Sequence, residues 1–182
     1  AHSNLGNILR DLGKLQDAEL STRKAIELNP NYSTAHLNLG GIFTDLGKLQ
    51  EAELSTRKAI ELNPNLAEAH ANLGTILKDL GKLNEAELAT CKAIELNPNY
   101  AAGYLNLGNI LRDLGKLKEA ELSTRKAIEL NPNYAEAYWN LALLELLQGD
   151  YKHGLENYEF RSKTKKPIIP HGKTKLKKVN QK

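Results

Sequence analysis

The residues that could do chemistry here recur along the chain rather than cluster. Asn4, Asn38, Asn72, Asn106 and Asn140 form one row, and Asp11, Asp45, Asp79 and Asp113 form a second, seven residues after the first four asparagines. Seven residues are two turns of helix, so each Asn shares nearly one face with its Asp. Between them stand Asn7, Gly41, Thr75 and Asn109; beside the aspartates stand Arg10, Lys78 and Arg112, with Thr44 the exception. A primary amide both donates and accepts hydrogen bonds. A row of amides can therefore pair with the main chain of an extended peptide whatever its side chains, while the Asp and Arg/Lys residues choose among side chains. The competing reading has the asparagines bonded to the backbone of a neighbouring repeat, fixing its geometry; one residue can serve both roles. Acid and base accompany each other in the row, which leaves such a groove close to neutral in sign.

The other reactive side chains carry less. His2, His36 and His70 recur every 34 residues, so they lie in successive repeats about a helix diameter, near 10 Å, apart. A single metal needs its ligands within about 2.1 Å. Tyr104 and Tyr138 fill the same place later in the chain, which makes it an apolar-leaning packing slot, and no metal site is expected. Cys91 is the sole cysteine, so no intrachain disulfide can form, and it stands where the other copies have Arg23, Arg57 and Arg125. That usage fits a reducing compartment, and a cytoplasmic location is expected. Asn31-Tyr32-Ser33 matches a glycosylation sequon, but no secretory leader accompanies it. No nucleophile–base pair, HExxH motif, P-loop or glycine-rich phosphate loop occurs, so no catalytic residue, no cofactor and no enzyme activity of this chain are expected.

The elements that must position these rows follow from repetition. Ala67 to Tyr100 is a 34-residue unit; Ser33–Leu66 precedes it as a copy, Ala101–Tyr134 follows, and 1–32 is a copy lacking its first two residues. Residues 4–32 and 106–134 agree at 27 of 29 places. A period of this size marks a solenoid in which each unit buries its apolar face on its neighbours. Leu73, Ile76, Leu77 and Leu80 recur at helical spacing and predict a first helix near 67–80, ended by Gly81-Lys82. Leu83, Ala86, Ala93, Ile94 and Leu96 predict a second near 84–96, ended by Asn97-Pro98, because the residue before proline leaves the helical region. Gly6, Gly40, Gly74 and Gly108 form one small-residue row and Ala18, Ala52, Ala86 and Ala120 another. Glycine inside a helix costs about 1 kcal/mol relative to alanine, so the row predicts close helix contact. Glu19/Arg23, Glu53/Arg57 and Glu121/Arg125 are i,i+4 pairs worth about 0.2–0.5 kcal/mol each.

The linked marks Leu73-Gly74, Gly81, Ala86, Ala93 and Pro98, matched in the first copy by Leu5-Gly6, Gly13, Ala18, Ala25 and Pro30, resemble the tetratricopeptide repeat. The resemblance covers roughly residues 1–161. It implies an all-α fold, a right-handed α-solenoid of about five helix–turn–helix repeats, with first helices on a concave face and second helices on a convex one. Thr22, Thr56, Thr90 and Thr124 stand where the family often has an aromatic. The expected units are 1–32, 33–66, 67–100 and 101–134, a degenerate fifth repeat or cap at 135–163, and a basic linker or tail at 164–182. The asparagine row resembles the ladder in the repeat superhelix of O-linked N-acetylglucosamine transferases. By that resemblance the peptide-binding residues would be Asn4, Asn7, Asn38, Asn72, Asn106, Asn109 and Asn140, with Asp11, Asp45, Asp79, Asp113, Arg10, Lys78 and Arg112. The lysines of the carboxylate clamp found in some co-chaperone members are absent, so that specificity does not transfer.

The fifth copy departs. Residues 135–148 read AEAYWNLALLELLQ, apolar almost all round, and such a helix is usually buried on every side. Trp139, Leu143, Leu146 and Leu147 are therefore expected to form a docking patch for the tail, a second copy or a further domain. A last helix is predicted near 151–163, with Arg161 standing where the pattern wants alanine. Residues 146–161, with Gly149-Asp150-Tyr151, Gly154 and Tyr158-Glu159-Phe160-Arg161, resemble the closing hairpin of bacterial arrays that precede a glycosyltransferase-like domain.

Charge divides the chain in the same place. Residues 1–160 carry 16 basic and 22 acidic residues, whereas 161–182 carry nine basic residues and no acid. The basic stretch would attract polyanions nonspecifically, but 162–182 contain no aromatic for base stacking, so nucleic acid is disfavoured as a partner. No membrane-spanning run occurs. The chain opens at Ala1, inside a repeat, and reads as an excised fragment or processed product, whose repeat ends could self-associate. The leading expectation is a scaffold that binds an extended peptide or partner helix; the alternative is the substrate-recruiting arm of a larger glycosyltransferase.

Overall fold

The structure, a computed structural model, describes residues 2–159. Ten helices follow one another: α1 (His2–Asp11), α2 (Leu15–Leu28), α3 (Ser33–Asp45), α4 (Leu49–Leu62), α5 (Ala67–Asp79), α6 (Leu83–Leu96), α7 (Ala101–Asp113), α8 (Leu117–Leu130), α9 (Ala135–Leu147) and α10 (Tyr151–Tyr158). There is no strand among the described residues. The last helix is described over Tyr151–Tyr158; Arg161 and the rest of the expected 151–163 helix beyond Glu159 lie outside the described residues, as does the basic segment.

Each first helix ends in the same way. Gly13, Gly47, Gly81, Gly115 and Gly149 all sit at φ between +72° and +86°, a conformation that favours glycine. At the third repeat, Gly81 N–H donates to Lys78 C=O at 2.9 Å and Lys82 N–H to Leu77 C=O at 2.8 Å, the paired bonds of a Schellman turn. Helices α2, α4, α6 and α8 each end at an Asn-Pro step whose Asn has left the helical region; Asn97 has φ −139° and ψ 87°. Its side chain then accepts from Asn99 N–H at 3.3 Å, and Asn29, Asn63 and Asn131 do the same.

Packing is strictly sequential. Each first helix lies on the second helix of its own repeat, and each second helix lies on the next first helix. The backbones of neighbouring first helices also approach one another, whereas those of the second helices stand apart and meet only through long side chains such as Arg57 and Glu85, 3.0 Å apart. The stack therefore curves with α1, α3, α5, α7 and α9 inside and the second helices splayed outside. Clefts open on that outer face, lined by Ile26, Leu39 and Leu54 in one case and Ile60, Leu73 and Leu88 in the next.

The glycine row acquires its reason here. A Cβ on Gly6, Gly40, Gly74 or Gly108 would meet the hydroxyl of Thr22, Thr56, Thr90 or Thr124 at 2.1 to 2.5 Å. The threonines are fully buried beside the equally buried alanine row. The missing aromatic and the glycine thus belong together: a small side chain on one helix meets none on the other. The core spans repeat junctions, with Ile76 packing on Leu39, Phe43 and Ala52, and Ile110 on Leu73, Leu77 and Ala86.

Candidate functional site

The inner face carries the asparagine row, one residue per first helix. Asn38 Nδ2 donates to Ser3 Oγ at 2.9 Å, Asn106 Nδ2 to Thr75 Oγ1 at 3.2 Å, and Asn140 Nδ2 to Asn109 Oδ1 at 2.9 Å. Each reaches back to the preceding first helix, so the asparagines do tie neighbouring repeats together. They use a side-chain oxygen rather than the backbone that the sequence suggested. Asn72 has no such bond, because the residue 31 positions before it is Gly41, which offers no oxygen. Asn4 and Asn7 are exposed, Asn38, Asn72, Asn106 and Asn109 half-buried, and Asn140 buried.

The charged residues of the face are paired within the chain. Lys78 lies 3.4 Å from Asp79 and Arg112 lies 3.0 Å from Asp113, and Arg112 also donates to Asn109 at 3.4 Å. Arg10 behaves differently. It crosses to the next repeat and holds Asp45 through both Nε and Nη2, the latter at 3.2 Å. Its guanidinium passes over Gly41, where a Cβ would meet Nη1 at 2.6 Å. The glycine that interrupts the Asn7/Thr75/Asn109 series therefore makes room for an inter-repeat ion pair.

The sign of the face follows, and it differs from the near-neutral expectation. The three cations of the face pair with Asp45, Asp79 and Asp113, and among the described residues Asp11, Glu68 and Glu136, exposed on first helices, enter no ion pair. The Asp45 bond raises Arg10 above its ordinary value against a smaller opposing effect of burial, and Asp11 and Glu68 add to the rise. Burial pushes the Tyr100 phenol up, with Glu68 adding to the shift, and Tyr134 is raised by burial and by Glu136. Glu68 and Glu136 stand four residues, about one turn, before Asn72 and Asn140 on α5 and α9, which puts them on the face that carries the row. The sequence reading passed over both, although their recurrence 68 residues apart in the first turn of α5 and α9 is visible in it.

At the far end α10 covers part of α9. Trp139 meets the Tyr158 ring at 5.1 Å between centroids, and Leu146 presses on Gly154. Trp139, Leu143 and Leu146 are half-buried, and of the four expected patch residues only Leu147 is exposed. The exposed apolar side chains at this end are Leu147, Tyr151 and Leu155. Glu145, which stands where the other copies have Phe43, Leu77 and Leu111, was also missed. It is 2% exposed and bridges Arg125 Nη2 of α8 and Asn157 Nδ2 of α10, each at 2.8 Å.

His36 and His70 each bond through Nε2 to the carbonyl of Pro30 and Pro64 at 2.9 Å. Their slot is thus hydrogen-bonded as well as packed. No group of residues that could hold a metal occurs among the described residues, and none of the described helices is long and apolar enough to cross a membrane. Burial pushes the Cys91 thiol up, and Glu87 adds to it; both effects oppose thiolate chemistry.

Comparison with known proteins agrees with this geometry. Family models described as TPR repeat match residues 40–81 and 108–149, and models described as tetratricopeptide repeat match 1–32, 67–100 and 92–121. A search of curated protein sequences gives no match. Among solved structures, the chain is similar to MamA with TM-score 0.76 and 26% identity, over 87% of this chain and 93% of that one. It is similar to YrrB, described as a TPR protein with an unusual peptide-binding site, with TM-score 0.68 and 25% identity, over 87% and 82%. PilF of Pseudomonas aeruginosa shares the fold with TM-score 0.82 and 24% identity, over 88% and 73%.

Proposed function

The chain belongs to the tetratricopeptide-repeat family, and we propose that it is a protein-interaction scaffold whose inner face holds an extended peptide. The observation that carries this reading is the state of the asparagines. Asn38, Asn106 and Asn140 spend an Nδ2 hydrogen on the preceding repeat, which fixes each amide and leaves its Oδ1 free to accept. Amide acceptors recur once per first helix, about 9–10 Å apart, and those of α3, α7 and α9 are fixed in this way. An extended peptide advances about 3.3 Å per residue, so roughly every third main-chain N–H meets a rung. The structural and binding roles of the row then reinforce each other, since ordering an amide in advance lowers the cost of binding. The likeness to YrrB, whose description includes a peptide-binding site, supports the same class of ligand. In this reading the chain acts by holding partners and performs no chemistry on them.

The test is a peptide-display selection against the wild-type chain, followed by affinity measurement on Asn38→Ala/Asn72→Ala/Asn106→Ala. Binding should weaken at least tenfold with helicity unchanged. A second variant, Ser3→Ala/Thr75→Val, removes the neighbours' oxygens and keeps the amides; it should weaken binding by much less. Equal affinity for wild type and the triple variant overturns the reading.

A second reading, the substrate-recruiting arm of a larger glycosyltransferase, is favoured by Leu147, Tyr151 and Leu155, exposed together at the end of the array. Reading the coding sequence beyond Lys182 tests it, and a stop codon there removes it.

A further inference from the structure

We infer that the inner face is a docking surface for the chain's own basic segment, residues 163–182, which lies along the first helices as an extended strand. The inference rests on the peptide-binding reading of that face and names its occupant.

Three observations carry it. The first is charge. Arg10, Lys78 and Arg112 are paired with Asp45, Asp79 and Asp113, and among the described residues Asp11, Glu68 and Glu136, spaced along the face, enter no ion pair. The outer face has no such excess: the helices α2, α4, α6 and α8, with Lys14, Lys48, Lys82 and Lys116 before them, carry 12 acids and 12 bases. An acidic inner face beside a balanced outer one directs a cationic segment inward. Residues 163–182 supply eight lysines and no acid.

The second is reach. The last described helix ends with Tyr158 against Trp139 of α9, next in sequence to Asn140 and three residues from Glu136. The described chain therefore ends against α9, the helix that carries the last rung. Residues 160–182 number 23, enough for about 75 Å when extended. Five first helices at 9–10 Å spacing need only about 40 Å.

The third is backbone chemistry. Lys166-Pro167 and Ile169-Pro170 are X-Pro steps, which favour extended conformation. Elsewhere the segment keeps the main-chain N–H groups that the Oδ1 acceptors need. Ile168, Ile169, Leu176 and Val179 give it apolar side chains between the lysines.

Occupation in cis makes the segment a competitor for any other peptide, so the face is regulated by its own chain. The experiment uses full-length proteins and a fluorescein-labelled synthetic peptide of residues 163–182, read by anisotropy at low and physiological salt. In one protein Lys165, Lys166, Lys173, Lys175, Lys177 and Lys178 are changed to Gln, which should vacate the face. The peptide should bind this variant at least tenfold more tightly than wild type. Adding Asp11→Asn, Glu68→Gln and Glu136→Gln to it should cost at least tenfold. Adding Asp17→Asn, Glu51→Gln and Glu119→Gln instead makes the same charge change on the outer helices and should cost less than twofold.

Equal binding to wild type and the vacated variant overturns the inference. So does equal sensitivity to inner and outer neutralisation, which would mean attraction to net charge alone. Loss of a nucleic acid or anionic vesicle, but not of the peptide, on changing the lysines would likewise assign the segment elsewhere. A display-selected peptide that still depends on the asparagines would then leave the peptide-binding reading standing while this one falls.

Discussion

Gly74 and Thr90 form the tightest unit of the repeat, and they make a prediction in which the sign changes. Alanine at 74 gains about 1 kcal/mol of helix propensity but places Cβ 2.1 Å from the Thr90 hydroxyl, and overpacking of this kind costs about 1–3 kcal/mol. Gly74→Ala should therefore destabilise the wild-type chain. In a Thr90→Ala background the obstruction is gone, and the same change should stabilise; urea midpoints of the four proteins in the cycle decide it. The need for a close approach was legible from the glycine row alone. Its partner was not, because threonine in place of an aromatic reads as lost packing until the facing helix is seen. Gly41 is a similar case. Only the path of the Arg10 guanidinium from one repeat to the next explains it, and that path depends on a side-chain rotamer.

At the scale of the element, α10 depends on two polar fastenings. Glu145→Ala removes the carboxylate shared by Arg125 and Asn157 and should cost about 1–3 kcal/mol, a range typical of bonds to a charged group. Trp139 is the sole tryptophan and touches Tyr158 of α10, so its emission should shift to the red as the helix loosens. The other fastening is pH-dependent. Asp150 caps α10 by accepting from His153 N–H at 3.2 Å and meets His153 Nδ1 at 2.7 Å. The bond to Asp150 raises His153 above 6.5, and the bonds from His153 hold Asp150 below 3.8. The His153 contribution is complete below its unfolded value and is lost as pH rises through the raised one. The Asp150 contribution is complete above its unfolded value and is lost as pH falls through the lowered one. Fluorescence of Trp139 should therefore report the firmest α10 between about pH 4 and 6.5, and His153→Ala should flatten the alkaline limb. The limits of α5 and α6 were legible to within a residue, since Gly-Lys and Asn-Pro end the first four hairpins by a local mechanism. Glu145 was not, because an acid within an apolar run declares itself buried only once Arg125 and Asn157 arrive from two other helices.

The whole molecule behaves as a one-dimensional array, in which stability sums repeats and their junctions. Ile76, 2% exposed, belongs to α5 but packs into the preceding hairpin. Ile76→Ala should cost about 2–4 kcal/mol and, by weakening a junction, should broaden the urea transition and lower its apparent slope. Outer ion pairs that also cross junctions, such as Lys82–Glu53 at 2.8 Å, are exposed on the lysine side and contribute at most about 1 kcal/mol each. The architecture was legible because 34 residues recur. The curvature was legible only through the family resemblance, and the acidity of the inner face was not, since it depends on which neighbours pair. Near-identity of repeats carries a further cost for recognition: a ligand matched to one set of rungs fits equally well one repeat along. Such a groove behaves like a ruler without a zero. The Arg10–Asp45 strap over Gly41 breaks that translational degeneracy, because it occurs at a single junction and removes an oxygen from the rung series there. In the proposed peptide-binding reading, a bound strand counts its position from that mark, so the array sets the register of its ligand as well as holding it.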